Sequence, residues 1–191
     1  MIEQSINGIE LKFETSNDVF SPQACDKGTL AMLAAAEITK GDKILDLGCG
    51  YGLIGIYAAK ITGEENVVMS DIKKKCVELS KMNAALNGVG GIKTVQSDGF
   101  NNMEETGFDI ILSNPPYHAD FSVPKHFIEK GFNRLKIGGT MYMVTKRKTW
   151  YKNKFTAIFG RVKIIEIDGY FIFRAEKRGN RYASAEKKKT R

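Results

Sequence analysis

The sequence predicts an α/β fold: a mostly parallel, seven-stranded sheet with helices on both faces, finished by an antiparallel hairpin at the carboxyl end. Three observations predict it. Between residues 43 and 145, short apolar runs alternate with longer segments of helical character. The first of those runs passes into its helix through a glycine-rich turn, Gly48-Cys49-Gly50-Tyr51-Gly52. Beyond residue 160, two apolar runs follow one another directly, joined only by Asp168-Gly169, a two-residue hairpin signal.

The elements follow in order. Residues 6–15 (INGIELKFET) read as a small hairpin turning at Asn7-Gly8. A loop rich in turn formers leads to the alanine-rich stretch 27–38, a buried helix ended by Lys40-Gly41-Asp42. Strand 43–47 then precedes helix 53–61, and strand 66–71 precedes helix 73–86, which Asn87-Gly88 closes. Two more strands cover 92–96 and 108–113. Helix 123–135 is terminated by Ile137-Gly138-Gly139, and strand 140–145 follows. Runs 161–167 and 170–176 form the final hairpin; no element is assigned to 146–160. With 191 residues, no internal repeat and no linker, one domain is expected over 1–182, with a basic, disordered tail over 183–191.

Composition narrows the function classes. No apolar run approaches the roughly eighteen residues of a membrane helix, so no membrane partner is expected. The opening MIEQSINGIE lacks the basic and apolar regions of a signal peptide, and a cytoplasmic location is expected. Cys25, Cys49 and Cys76 lack paired zinc-ligand spacing and are expected as free thiols. Only two histidines, His118 and His126, are present, which argues against a histidine-rich metal centre; both read as surface or loop residues. The net charge of +7 favours polyanionic partners, nucleic acid first, although part of it lies in the tail EKKKTR.

The run Ile44 to Gly52 (ILDLGCGYG) carries the strongest signal. Glycines at a strand-to-helix junction let the backbone approach a ligand at the carboxyl edge of the sheet. Dinucleotide enzymes use a similar loop, but they bring a pyrophosphate, which a carboxylate at the strand end would oppose. Asp46 therefore favours a cationic cofactor, S-adenosylmethionine, whose sulfonium and ammonium it would stabilise. Asp71, some twenty residues past the loop, is placed to bond both ribose hydroxyls or to cap the next helix. Asp98, before Gly99, is placed for the adenine amine, or is simply a turn residue.

Strand 108–113 empties into Asn114-Pro115-Pro116-Tyr117. An exocyclic base amine is a poor nucleophile because its lone pair is delocalised into the ring. Hydrogen bonds from its N–H groups to the Asn114 amide oxygen and the Pro115 carbonyl would localise that pair by placement and electrostatics. Tyr117 offers a ring on which an extruded base stacks, worth about 1–3 kcal/mol.

Together DLGCGYG (46–52), Asp71, Asp98 and NPPY (114–117) resemble the motifs of class I S-adenosylmethionine-dependent methyltransferases. Val19-Phe20-Ser21 and Asp26-Lys27-Gly28-Thr29 narrow the resemblance to the small-domain methyltransferase family, over about residues 10–178. The best-known members of that family are similar to the ribosomal small-subunit guanine-N2 methyltransferase, the C enzyme. The resemblance implies a Rossmann-like fold, S-adenosyl-L-methionine as cofactor, and RNA, ribosomal RNA or a ribosomal particle, as partner. It implies that Phe20, Asp26 and Thr29 lie over the cofactor and acceptor pocket. The bacterial ribosomal enzyme carries a degenerate second copy of the domain ahead of the catalytic one; this sequence shows none, and a likeness to single-domain relatives is expected.

The candidate cofactor set is Phe20, Asp26, Thr29, Asp46, Gly48, Cys49, Gly50, Gly52, Asp71, Ile72, Asp98, Gly99 and Asn114. The candidate catalytic set is Asn114, Pro115 and Tyr117, with no metal. The expected reaction is methylation of an RNA base amine, guanine-N2 of ribosomal RNA first and adenine-N6 of RNA or DNA next. Protein glutamine methylation shares the NPPY chemistry but is usually accompanied by a helical domain, and a non-enzymatic RNA-binding role would leave the intact motifs without purpose.

Overall fold

The structure, a computed structural model, describes residues 1–16, 23–116 and 120–184. Its main sheet has the strand order β5-β4-β3-β6-β7-β9-β8. Strands β3 (Ile44–Leu47), β4 (Val67–Asp71), β5 (Lys93–Gln96), β6 (Phe108–Ser113) and β7 (Leu135–Thr145) run parallel. The last two, β8 (Lys163–Ile167) and β9 (Tyr170–Glu176), form an antiparallel hairpin against β7. Before the sheet, β1 (Ile2–Ile6) and β2 (Ile9–Phe13) make a separate two-stranded hairpin. Both hairpins turn where Asn-Gly and Asp-Gly signalled it: Asn7, Gly8, Asp168 and Gly169 all have positive φ, as the twist-matched two-residue turn requires.

Helices cover both faces because strand side chains alternate. All four residues of β3 are buried. Ile44 joins a core with Val67, Met69, Ile110 and Leu112, under α1 (Lys27–Ala35), α2 (Leu53–Thr62) and α3 (Lys74–Leu86). Leu45 and Leu47 face the other way, into a core with Ile111, Met143 and Phe173 under α4 (Ser122–Arg134) and α5 (Thr149–Phe159). A strand buried on both sides is near-continuously apolar, as a parallel sheet demands.

The hairpin β1–β2 is anchored through α3. Asn83, fully buried, accepts from the Glu14 backbone N–H at 2.8 Å and donates to the carbonyls of Glu14 and Tyr51, both at 2.9 Å. One side chain thus ties the hairpin exit to the glycine loop.

Several elements differ from the sequence reading, and the first is the amino-terminal hairpin, read over 6–15, whose β1 already begins at Ile2. Helix α5 occupies part of the stretch left without an element. Its apolar residues Tyr151, Phe155, Ile158 and Phe159 follow helical spacing and are all buried, but the interleaved lysines and threonines mask the pattern. Helix α1 ends at Ala35, not at 38, because Glu37 is drawn out by Tyr142 and Arg174. Strand β7 starts at Leu135 and absorbs the glycines read as a terminator. Among the described residues no helix is long and apolar enough to cross a membrane.

The topology positions the site. From β3 the chain moves outward to β4 and β5, then returns to β3's other side as β6. Such a reversal opens a crevice beyond the carboxyl ends of β3 and β6, between the turns that leave them.

Candidate functional site

A cavity of about 270 Å³ fills that crevice. Its floor is the turn after β3. Gly48, Gly50 and Gly52 adopt φ of 79°, 56° and 97°, which only glycine accepts without strain. The turn is pinned to β4: the N–H groups of Gly48 and Cys49 donate to the Ser70 carbonyl at 2.9 and 2.8 Å. The Gly50 N–H donates to Asp71 Oδ2 at 2.9 Å. Asp71 Oδ1 accepts from the Lys73 N–H at 2.9 Å, so the carboxylate joins the two loops that border the cavity.

Eleven of the residues singled out in the sequence line this cavity: Asp26, Thr29, Gly48, Cys49, Gly50, Asp71, Ile72, Asp98, Gly99, Asn114 and Pro115. Ile72 is unusual there, an isoleucine 57% exposed beside a carboxylate. Gly99 carries the backbone close to α4; a Cβ there would stand 2.6 Å from the His126 ring. Phe20 and Tyr117, and with them His118, lie outside the described residues.

Two predicted positions fall behind the loop. Gly52 caps α2, where a Cβ would stand 3.0 Å from Ile56 and 3.1 Å from Ser80, so it serves close packing. Asp46 was expected to project toward a ligand. Its side chain is instead fully buried under the loop, with Oδ2 accepting from the Gly55 N–H of α2 at 2.8 Å. The physical reason is strand alternation: Asp46 shares the face of Ile44, which α2 covers. Burial, opposed by the Gly55 bond and reinforced by the Asp71 carboxylate, pushes its pKa up to about 7.

The acceptor side is built by α1 and the exit of β6. Ser113 Oγ donates to the Leu47 carbonyl at 2.7 Å, locking the two strand ends together. Asn114 follows at once. Its Nδ2 donates to Asp26 Oδ1 and Thr29 Oγ1, both at 2.8 Å. Asp26 is also the N-cap of α1, accepting from the Thr29 N–H at 2.8 Å. A carboxylate only accepts, so the Asn114 amide must present its NH₂ to Asp26 and its oxygen away from it. The sequence reading placed Asp26 and Thr29 over the pocket, but not this clamp on Asn114.

The thiols are inert. All three cysteines are free and buried. Burial, with the neighbouring Asp46 and Asp71 carboxylates, holds the Cys49 thiol well above its ordinary pKa, and burial beside Asp71 pushes Cys76 up to about 11. Neither is a poised nucleophile. Phe127 and Val123 of α4, Ile54 of α2 and Lys73 also line the cavity and were not foreseen. Phe127 and Val123 come from α4, the helix that follows the Asn-Pro-Pro exit, and nothing in their local pattern separates a cavity wall from a core position. His126, read as a surface residue, lies on α4 with Nε2 buried and unpartnered among the described residues.

The charged groups that line the cavity are mainly acidic: Asp26, Asp71 and Asp98, with Lys73 as the basic exception. That set suits a cationic ligand with hydroxyl groups better than a pyrophosphate.

Comparison with known proteins agrees with this architecture. The model of the methyltransferase small domain matches residues 10–174. YbxB of Bacillus subtilis, described as an uncharacterised protein, is 33% identical over 88% of this chain and 87% of its own length. The ribosomal RNA large subunit methyltransferase G of Shewanella amazonensis is 29% identical over 85% of this chain and 44% of its own. Among solved structures, the 16S rRNA N2 guanosine methyltransferase RsmC of T. thermophilus, in complex with AdoMet and guanosine, superposes with a TM-score of 0.84. It is 28% identical and matches 92% of this chain and 50% of its own. The chain thus spans about half the length of the ribosomal RNA methyltransferases it matches. With a family model that covers most of its length and a sheet, loop and Asn-Pro-Pro exit to match, the chain belongs to the methyltransferase small domain family.

Proposed function

We propose that this protein transfers a methyl group from S-adenosylmethionine to the exocyclic N2 of a guanine in ribosomal RNA. The observation that carries the reading is the clamp on Asn114, which commits its NH₂ to Asp26 and Thr29 and so leaves the amide oxygen to accept from an acceptor amine. The acidic cavity beside it, floored by a glycine turn, supports the cofactor. Similarity to RsmC and to the large subunit methyltransferase G supports ribosomal RNA as substrate.

In this reading Asp71 and Ile72 hold the ribose and adenine, Asp98 and Gly99 border the adenine edge, and the turn 48–50 cradles the amino-acid end. When bound, the cofactor supplies an electrophilic methyl carbon on a sulfonium. Asn114 Oδ1 and the Pro115 carbonyl accept the two N–H groups of the target amine and aim its lone pair. Tyr117 stacks on the base. No strong base is needed, since the amine sheds its proton to water once the new bond has made it acidic; catalysis is placement and electrostatics.

The test is incubation of the protein with tritiated S-adenosylmethionine and ribosomal RNA or particles from cells lacking its gene, followed by digestion to nucleosides. Label in N2-methylguanosine is expected. Label in N6-methyladenosine, in protein glutamine, or in nothing would overturn the assignment.

A further inference from the structure

A second feature shares the edge of the sheet with the acceptor site. Strand β7 runs parallel to β6, with Met143 paired to Ser113, so the chain leaving β7 emerges beside Asn114. It emerges as Lys146-Arg147-Lys148, three consecutive exposed cations. Each stands over an aromatic ring. Lys146 Nζ is 4.8 Å from the Tyr170 ring centre, the Arg147 guanidinium is 5.1 Å from that of Phe121, and Lys148 Nζ is 5.0 Å from that of Phe171. Phe121 itself stacks on Trp150, with centroids 4.3 Å apart and planes 14° from parallel.

The shelf is continuous with the acceptor site on two sides. Tyr170 packs against Gly28, where a Cβ would stand 2.6 Å from its ring, two residues from the Asp26 that holds Asn114. Phe121 precedes α4, a few residues beyond Asn114-Pro115-Pro116. We propose that this shelf holds the backbone of a single-stranded RNA segment flanking the target nucleotide; the proposal rests on RNA being the substrate.

The charge pattern favours that occupant over plain solvation. A solvated face usually alternates signs, whereas here three like charges are adjacent. The nearby carboxylates leave most of that charge unanswered. Glu166 stands 3.9 Å from Lys148, Asp120 is taken by the Ser122 N–H and hydroxyl, and Asp26 is taken by Thr29 and Asn114. Among the described residues neither Lys146 nor Arg147 forms an ion pair. Like charges so grouped are repaid by a polyanion. The rings pin the cations, so less side-chain freedom is lost when they meet phosphates.

The test compares the protein with a variant carrying Lys146→Gln, Arg147→Gln and Lys148→Gln. A control variant carries Lys40→Gln, Lys81→Gln and Lys130→Gln, exposed positions away from the shelf with the same loss of charge. The probe is a labelled single-stranded oligoribonucleotide titrated across a salt series, with adenosylhomocysteine affinity and melting temperature measured in parallel. The shelf variant should bind RNA at least about tenfold more weakly, and its log-affinity against log-salt slope should shrink by about 2, as loss of three phosphate contacts on a single strand predicts. Adenosylhomocysteine affinity should be unchanged. If the triple variant melts early, the three single variants are read instead, each expected to lower the slope by about 0.7. Equal losses in the control, or an unchanged slope in the shelf variant while the parent binds and methylates RNA, would overturn the shelf alone. A parent that binds no RNA at any salt would overturn the RNA reading with it.

Discussion

Asp26 and Asn114 are 88 positions apart in the chain, yet the carboxylate of one holds the amide of the other at 2.8 Å. The same Asp26 oxygen caps α1 through the Thr29 N–H. One carboxylate oxygen therefore sets both where the helix starts and which way the acceptor amide faces.

Asp26→Ala should accordingly show two separate losses. The missing cap should cost about 0.5–2 kcal/mol of stability. Turnover should fall further, on the order of 100-fold, because Asn114 is free to rotate its oxygen out of register. Asp26→Asn, which keeps an oxygen for the Thr29 N–H and for Asn114, should lie between. Urea denaturation and single-turnover methyl transfer on the same preparations separate the two effects. Equal turnover in all three proteins would remove the clamp from the mechanism.

Asn114→Ala should abolish turnover and leave adenosylhomocysteine affinity nearly intact, as calorimetry would register, since its amide reaches Asp26 and Thr29 rather than the glycine turn. For Tyr117 the ring face is the expected asset, so Tyr117→Phe should retain most activity and Tyr117→Ala should lose it. Equal damage from both would transfer the role to the hydroxyl.

Asp71→Ala removes the acceptor for the Gly50 and Lys73 N–H groups as well as the expected ribose contact. Cofactor affinity should drop by about 1–3 kcal/mol, the range for charge-assisted hydrogen bonds. A lower melting temperature with unchanged affinity would show that Asp71 acts only to brace the two loops.

The buried Asp46 makes stability depend on pH. Its folded pKa is raised from the ordinary 3.8 to about 7. Between those values the folded chain keeps a proton that the unfolded chain has released, so Asp46 makes stability fall as pH rises through that window. Below it both states are protonated, and above it the burial penalty is complete. Asp46→Asn keeps an oxygen for the Gly55 N–H and cannot ionise. Relative to this variant, the parent should lose stability steadily across the window and then level off. A flat difference in a denaturation series would show that Asp46 is not the titrating group.

Much of this was legible in the sequence, and for identifiable reasons. Asn7-Gly8 and Asp168-Gly169 announced their turns because few other residues tolerate positive φ twice in succession. The glycine turn, Asp71, Asp98 and Asn114 were legible because each closes or follows a strand, and parallel strands bring such ends to one edge. What stayed hidden depends on tertiary placement. Helix α5 was obscured by the lysines interleaved with its buried residues, Lys152 exposed and Lys154 paired with Glu129 of α4. Asp46 looked like a ligand group because its position at the strand end was visible while the face it points to was not. The clamp on Asn114 joins two segments whose proximity no local pattern encodes.

Asn83 has a consequence for motion. Because its amide bonds Glu14 at the hairpin exit and Tyr51 in the glycine turn, detachment of the hairpin and loosening of the turn are expected to be coupled. A ligand that orders the turn must then slow that opening too. Amide hydrogens of β2, none of whose residues lines the cavity, should exchange with solvent more slowly when adenosylhomocysteine is present, and the hairpin becomes a reporter of occupancy at a neighbouring site.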